Sequence, residues 1–88
     1  MGVGVKTNDL NQNISIYPNP SNGNFTITNA SEKSVSIEIM DLVGKLVFQS
    51  QSAERYVKLD FADVNKGVYF VRITDQSGNK VVKKLVIK

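Results

Sequence analysis

The stretch Gly67–Lys88 constrains the fold more than any other part of the chain. Gly67-Val68-Tyr69-Phe70-Val71-Arg72-Ile73-Thr74 and Asn79-Lys80-Val81-Val82-Lys83-Lys84-Leu85-Val86-Ile87-Lys88 are two runs rich in Val, Ile, Tyr and Phe. Between them lies the short turn Asp75-Gln76-Ser77-Gly78. That pattern predicts a β-hairpin. The second run carries apolar residues interleaved with lysines up to the last residue, which places Lys88 inside or just after a strand. Chain ends fray unless they are tied into the fold. The hairpin is therefore expected to close the fold and to present its terminal strand.

Upstream, the same period recurs in shorter pieces. Residues 1–13 are polar and aperiodic and read as a linker, with Met1-Gly2 as residues added in cloning ahead of a fragment of a longer protein. Ile14-Ser15-Ile16-Tyr17 is a short strand, stopped by Pro18-Asn19-Pro20-Ser21-Asn22-Gly23. The two prolines cannot donate to a ladder, and Asn22-Gly23 gives the freedom a tight turn needs. Strands follow at 24–28 with Phe25 and Ile27 inward, and at 34–41 with Val35, Ile37 and Ile39 inward. The next covers 45–50 with Leu46 and Phe48 inward, and another covers 55–61. Seven short strands with turns every eight to twelve residues predict an all-β, seven-stranded antiparallel immunoglobulin-like Greek-key sandwich over residues 14–88.

Size and charge narrow the function. Eighty-eight residues form one small domain, and with no cysteine neither disulfides nor a thiolate metal site can staple it. Four of the eleven basic residues, Lys80, Lys83, Lys84 and Lys88, fall in the last nine positions. The rest of the chain holds seven basic residues against eight acidic ones. A basic terminal strand on an otherwise balanced domain does not suit nucleic acid, which wants a broad basic face. No apolar run reaches membrane-spanning length, so the domain is expected not to be membrane-inserted.

Chemistry-bearing candidates are few. Ser77-Gly78-Asn79-Lys80 fits the pattern in which a lysine activates a serine, but it lies on a hairpin tip instead of opening a helix. Asp60, Asp63 and Asn65 could offer oxygens to calcium, yet they lack the ligand number of a calcium loop and suit any turn. Asn13, Asn24 and Asn29 each begin a glycosylation sequon, as expected by chance in a chain rich in Asn and Ser. Without histidine, cysteine or an evident carboxylate pair, neither an enzyme nor a cofactor is expected. The terminal lysines have a plain reading too, since lysine on an edge strand discourages aggregation.

Three segments resemble one family in order and spacing. They are Tyr17-Pro18-Asn19-Pro20-Ser21-Asn22-Gly23-Asn24-Phe25, then Ile39-Met40-Asp41-Leu42-Val43-Gly44-Lys45-Leu46-Val47. The third pairs Gly67-Val68-Tyr69-Phe70-Val71-Arg72-Ile73 with the tail Lys83-Lys84-Leu85-Val86-Ile87-Lys88. Together, over residues 14–88, they are similar to the type A C-terminal sorting domain of the type IX secretion system.

The resemblance implies a tail on an N-terminal cargo protein of a Gram-negative bacterium. The cargo passes through the periplasm and crosses the outer membrane to the cell surface or medium. An outer-membrane shuttle protein, the translocon and a sortase-like peptidase would be its partners, with cleavage in the linker before Ile14. Recognition is expected at Lys83, Lys84, Leu85, Val86, Ile87 and Lys88, through backbone pairing with the terminal strand and lysine charge. Pro18, Asn19, Pro20, Gly23, Asp41, Gly44, Gly67 and Tyr69 are expected to hold shape. A dimer through the exposed terminal edge is a further expectation. The alternative is an accessory carbohydrate-binding or structural sandwich, disfavoured because most aromatics fall at expected inward positions.

Overall fold

The structure, a computed structural model, describes residues 13–31 and 33–88. The expected linker therefore lies almost wholly outside the described residues. Seven strands follow in order: β1 (Ile14–Tyr17), β2 (Asn24–Asn29), β3 (Val35–Met40), β4 (Leu46–Ser52), β5 (Tyr56–Asp60), β6 (Gly67–Asp75) and β7 (Lys80–Ile87). All pair antiparallel, in a three-stranded sheet of order β1-β2-β5 and a four-stranded sheet of order β4-β3-β6-β7. The β2–β3, β4–β5 and β5–β6 connections cross between sheets, giving the expected Greek-key sandwich.

Alternation drives the packing. In β3, Val35, Ile37 and Ile39 are buried while the residues between them are half-exposed. The same period in β2, β6 and β7 brings Phe25, Ile27, Val71, Ile73, Leu85 and Ile87 into one core. A side chain fully buried there contributes roughly 1.5–3 kcal/mol. Phe61 completes the core from the loop after β5, its ring edge-on to Phe25 at 5.4 Å and to Phe48 at 5.7 Å.

One expectation needs correction. Leu46 is 45% exposed instead of inward. The β3–β4 register shifts between Ile39 and Met40, so Ile39 faces Phe48 whereas Met40 faces Leu46. The bulge inserts an extra residue and re-aims the start of β4. Most aromatics do lie inward: Phe25, Phe61 and Tyr69 are buried and Phe48 packs against the core, whereas Tyr17 and Tyr56 are half-exposed on the outer face of the three-stranded sheet. Tyr69 donates its hydroxyl proton to the Asn65 carbonyl four residues upstream. That contact is the tyrosine corner of immunoglobulin-like sandwiches, and it ties the β5–β6 loop to β6.

Candidate recognition surface

Antiparallel pairing sorts the loops between two poles. Ile14 pairs with Asn29 and Val35 with both Ser52 and Asp75, so the N-terminal junction and the β2–β3, β4–β5 and β6–β7 connections share one pole. At the other pole Met40 pairs with Phe70, Gly67 with Ile87 and Asn24 with Asp60. The Pro18–Gly23 loop, the Asp41–Lys45 turn, the β5–β6 loop and Lys88 meet there. A strand of this length separates the poles by roughly 25 Å.

The Pro18–Gly23 loop closes onto the outer edge of β7. Both X-Pro bonds in it are cis. The Asn19 carboxamide acts as a peptide group: Nδ2 donates to the Lys84 carbonyl at 2.6 Å, and Oδ1 accepts from the Val86 N–H at 3.0 Å. Ser21 continues the pairing, its N–H donating to Val86 O and its carbonyl accepting from the Lys88 N–H, each at 2.8 Å. Ser21 is 2% exposed, and its hydroxyl accepts from Gly23 N–H and donates to the Asn24 carbonyl. Gly23 in turn accepts from the Phe61 N–H. Its φ is +116°, and a Cβ there would sit 2.9 Å from Ala62 Cα.

The second motif forms the β3–β4 turn. Asp41 Oδ1 accepts from the Val43 and Lys45 N–H groups at 3.1 and 2.9 Å, and Gly44 N–H donates to the Asp41 carbonyl. The carboxylate thus satisfies the turn internally, and the tip displays Leu42 and Val43, 68% and 87% exposed. Beside it an open hollow of ≈ 250 Å³ is lined by residues including Leu42, Val43, Lys66 and Tyr69. Gly67 begins β6 opposite Ile87, next to this hollow.

The residues expected to be read as one terminal tail divide by side. Leu85 and Ile87 are core residues, 0% and 3% exposed. Lys84 and Lys88 are exposed, Val86 is half-buried on the outer side, and Lys83 is half-buried between Val81 and Leu85 on the side facing the core. The outer backbone edge at 84–88, where pairing with a partner was expected, is occupied within the chain by Asn19 and Ser21. Asn19 is thus a strand clamp as well as a turn residue. Ser21 was not singled out from the sequence, since nothing in a serine after Pro20 distinguishes a buried hydroxyl from a turn residue.

The remaining chemical candidates resolve into turns. Asp60 Oδ1 accepts from the Ala62 N–H, and among the described residues no group of three acidic side chains could hold a metal ion. Ser77 and Asn79 donate their N–H groups to Asp75 Oδ1, and Asn79 Nδ2 donates to Oδ2. These bonds, the Asn79 side chain foremost, hold the Asp75 carboxyl below its ordinary value. Asn29 is buried, with Oδ1 and Nδ2 bonded to Ser31 and Lys33, so that sequon asparagine is a loop brace.

Comparisons with known proteins bear on this arrangement. A family model described as "Secretion system C-terminal sorting domain" matches residues 15–88. An endo-acting ulvan lyase of Formosa agariphila is 30% identical over 90% of this chain, which corresponds to 16% of the lyase. An ulvan lyase of Nonlabens ulvanivorans is 27% identical over 84% of this chain and 14% of its own length. The chain thus spans a small fraction of these relatives. Among solved structures, PorZ, described as an essential surface component of the type IX secretion system of Porphyromonas gingivalis, superposes with a TM-score of 0.76. The match has 26% identity and covers 91% of this chain and 12% of PorZ. An immunoglobulin-like β-sandwich protein of Bacteroides vulgatus superposes at 0.75 with 18% identity, over 86% and 84% of the two chains, and shares the fold.

Proposed function

The chain belongs to the secretion system C-terminal sorting domain family, and from that premise we propose how this type IX sorting signal is read. The domain is a tail without catalytic function of its own, and the lyases share only this tail with it. The proposal is that the pole bearing Pro18–Gly23, Asp41–Gly44 and Lys88 engages the export machinery while cargo extends from the opposite pole. One observation carries it. Three motif segments far apart in sequence meet at one end of the sandwich, roughly 25 Å from the N-terminal junction. A bulky cargo attached at Ile14 therefore does not screen that end.

On this reading the cargo traverses the periplasm and reaches the cell surface or medium. An outer-membrane shuttle protein and the translocon receive the folded pole. A sortase-like peptidase then cuts in the segment before Ile14. Lys84 and Lys88 supply exposed charge whose attraction weakens with salt. The Leu42-Val43 tip supplies the apolar contact.

The test is export of a reporter with a periplasmic signal peptide and this chain at its C-terminus, in a bacterium with the secretion system. Surface or medium reporter is expected for the full fusion. A loss is expected for Leu42→Ser with Val43→Ser and for Lys84→Ala with Lys88→Ala, all four positions being exposed. Normal export of both variants overturns the reading of this pole, and periplasmic retention of the unaltered fusion overturns the sorting reading for this chain. A second reading, an accessory carbohydrate-binding face, draws on the half-exposed Tyr17 and Tyr56. Glycan-array binding lost with Tyr56→Ala would support it.

A further inference from the structure

Four strands border the two sheets: β1 and β5 on one, β4 and β7 on the other. Border strands expose unpaired backbone groups, and proteins blunt them with charge, proline, short length or a covering loop. β7 carries three lysines and is covered by Asn19 and Ser21 over its last residues. β5 contains Lys58 and Asp60. β1 is only four residues long and runs straight into Pro18. β4, Leu-Val-Phe-Gln-Ser-Gln-Ser, has neither charge nor proline in seven residues, and no strand lies beyond it among the described residues. Its one protective feature is the bulge near Leu46, at its very start. From Phe48 to Ser52 it pairs regularly with β3 and keeps a straight outer edge.

We propose that β4 is a self-pairing edge, through which a second copy of this chain adds antiparallel to make one continuous eight-stranded sheet. A two-fold axis perpendicular to the sheet keeps each residue on its own face, so the ladder can centre on Gln49 opposite itself. Val47 then meets Gln51 of the second copy, and Phe48 meets Ser50. No charge faces a like charge anywhere along this ladder. The occupant is thus chosen by the composition of the strand itself. It also moves the expected edge dimer from the terminal strand to β4. A seven-residue ladder buries less than the roughly 1,600 Å² of a standard stable interface, so association is weak and concentration-dependent.

Sedimentation velocity on the 88-residue chain tests this, from about 10 µM to about 1 mM to span weak affinities. The mean mass is expected to rise towards twice the monomer's. Amide exchange at 46–52 should slow in step while that at 84–88 stays constant. Gln49→Lys sets two lysines opposite each other at the axis and should restore the monomer, with Gln51→Lys as a second variant at an exposed position. Val82→Lys, on the exposed side of β7, should leave association unchanged. A monomer at every concentration overturns the proposal. So does a dimer indifferent to both glutamine variants, or one abolished by Val82→Lys.

Discussion

Gly23 and Gly44 both have positive φ, yet they answer to different physics. At Gly23 a methyl group would lie 2.9 Å from the Ala62 backbone, whereas at Gly44 it would meet nothing within 4 Å. Gly44→Ala therefore bears only the left-handed backbone penalty, about 1 kcal/mol. Gly23→Ala adds overpacking against immovable backbone, for about 3 kcal/mol in total. Urea denaturation of the two variants should show that gap, and equal losses would contradict it. Asn19→Ala removes one acceptor and one donor from the edge of β7 and should destabilise the fold by about 1–3 kcal/mol. The acid response belongs to Asp75. Its folded pKa is depressed, so the ionised form's contribution is present at neutral pH and is lost as pH falls below the ordinary carboxylate value, about 4. Because the group is exposed, the effect is small. Asp75→Asn should lose less of its urea midpoint between neutral pH and about pH 3 than the parent chain does.

At the scale of elements, the alternation in β2 and β3 was legible because one face of each strand packs on the core, where period two has a direct energetic meaning. Strand positions were readable for the same reason, bounded as they are by Gly, Pro and Asn turns. The bulge that turned Leu46 outward was not legible. Its signal is a mismatch between two partner strands, which no single strand carries. The clamp of Asn19 on β7 spans 65 residues of sequence and likewise left no local trace. Tyr69 lies between these cases: the motif marked it as a residue that holds shape, but only the structure supplied its burial and the Asn65 carbonyl as partner. Tyr69→Phe keeps the ring and loses the hydroxyl, so it should cost about 1 kcal/mol and speed amide exchange in the β5–β6 loop. An unchanged loop would mean that Phe61 and Val64, which packs on the core and donates its N–H to the Phe61 carbonyl, hold it down without the hydroxyl.

Across the whole molecule, the terminal strand contributes to the core and carries the lysines proposed to be read, and the two roles can be separated. Deleting residues 84–88 removes Leu85 and Ile87 from the core along with the hydrogen bonds to Asn19 and Ser21. Those two side chains alone are worth about 3–6 kcal/mol. That is comparable to the entire stability of a domain this size, about 5–10 kcal/mol. The truncated chain should be unfolded, shown by loss of the cooperative urea transition, and its failure to export would say nothing about recognition. Lys84→Ala with Lys88→Ala removes only exposed charge and should shift the urea midpoint little, because surface charges contribute at most about 1 kcal/mol. If this folded double variant fails to direct export, the machinery reads the surface of the tail. If it exports as well as the parent, the two lysines are not read, and recognition falls to the Leu42-Val43 tip at the same pole.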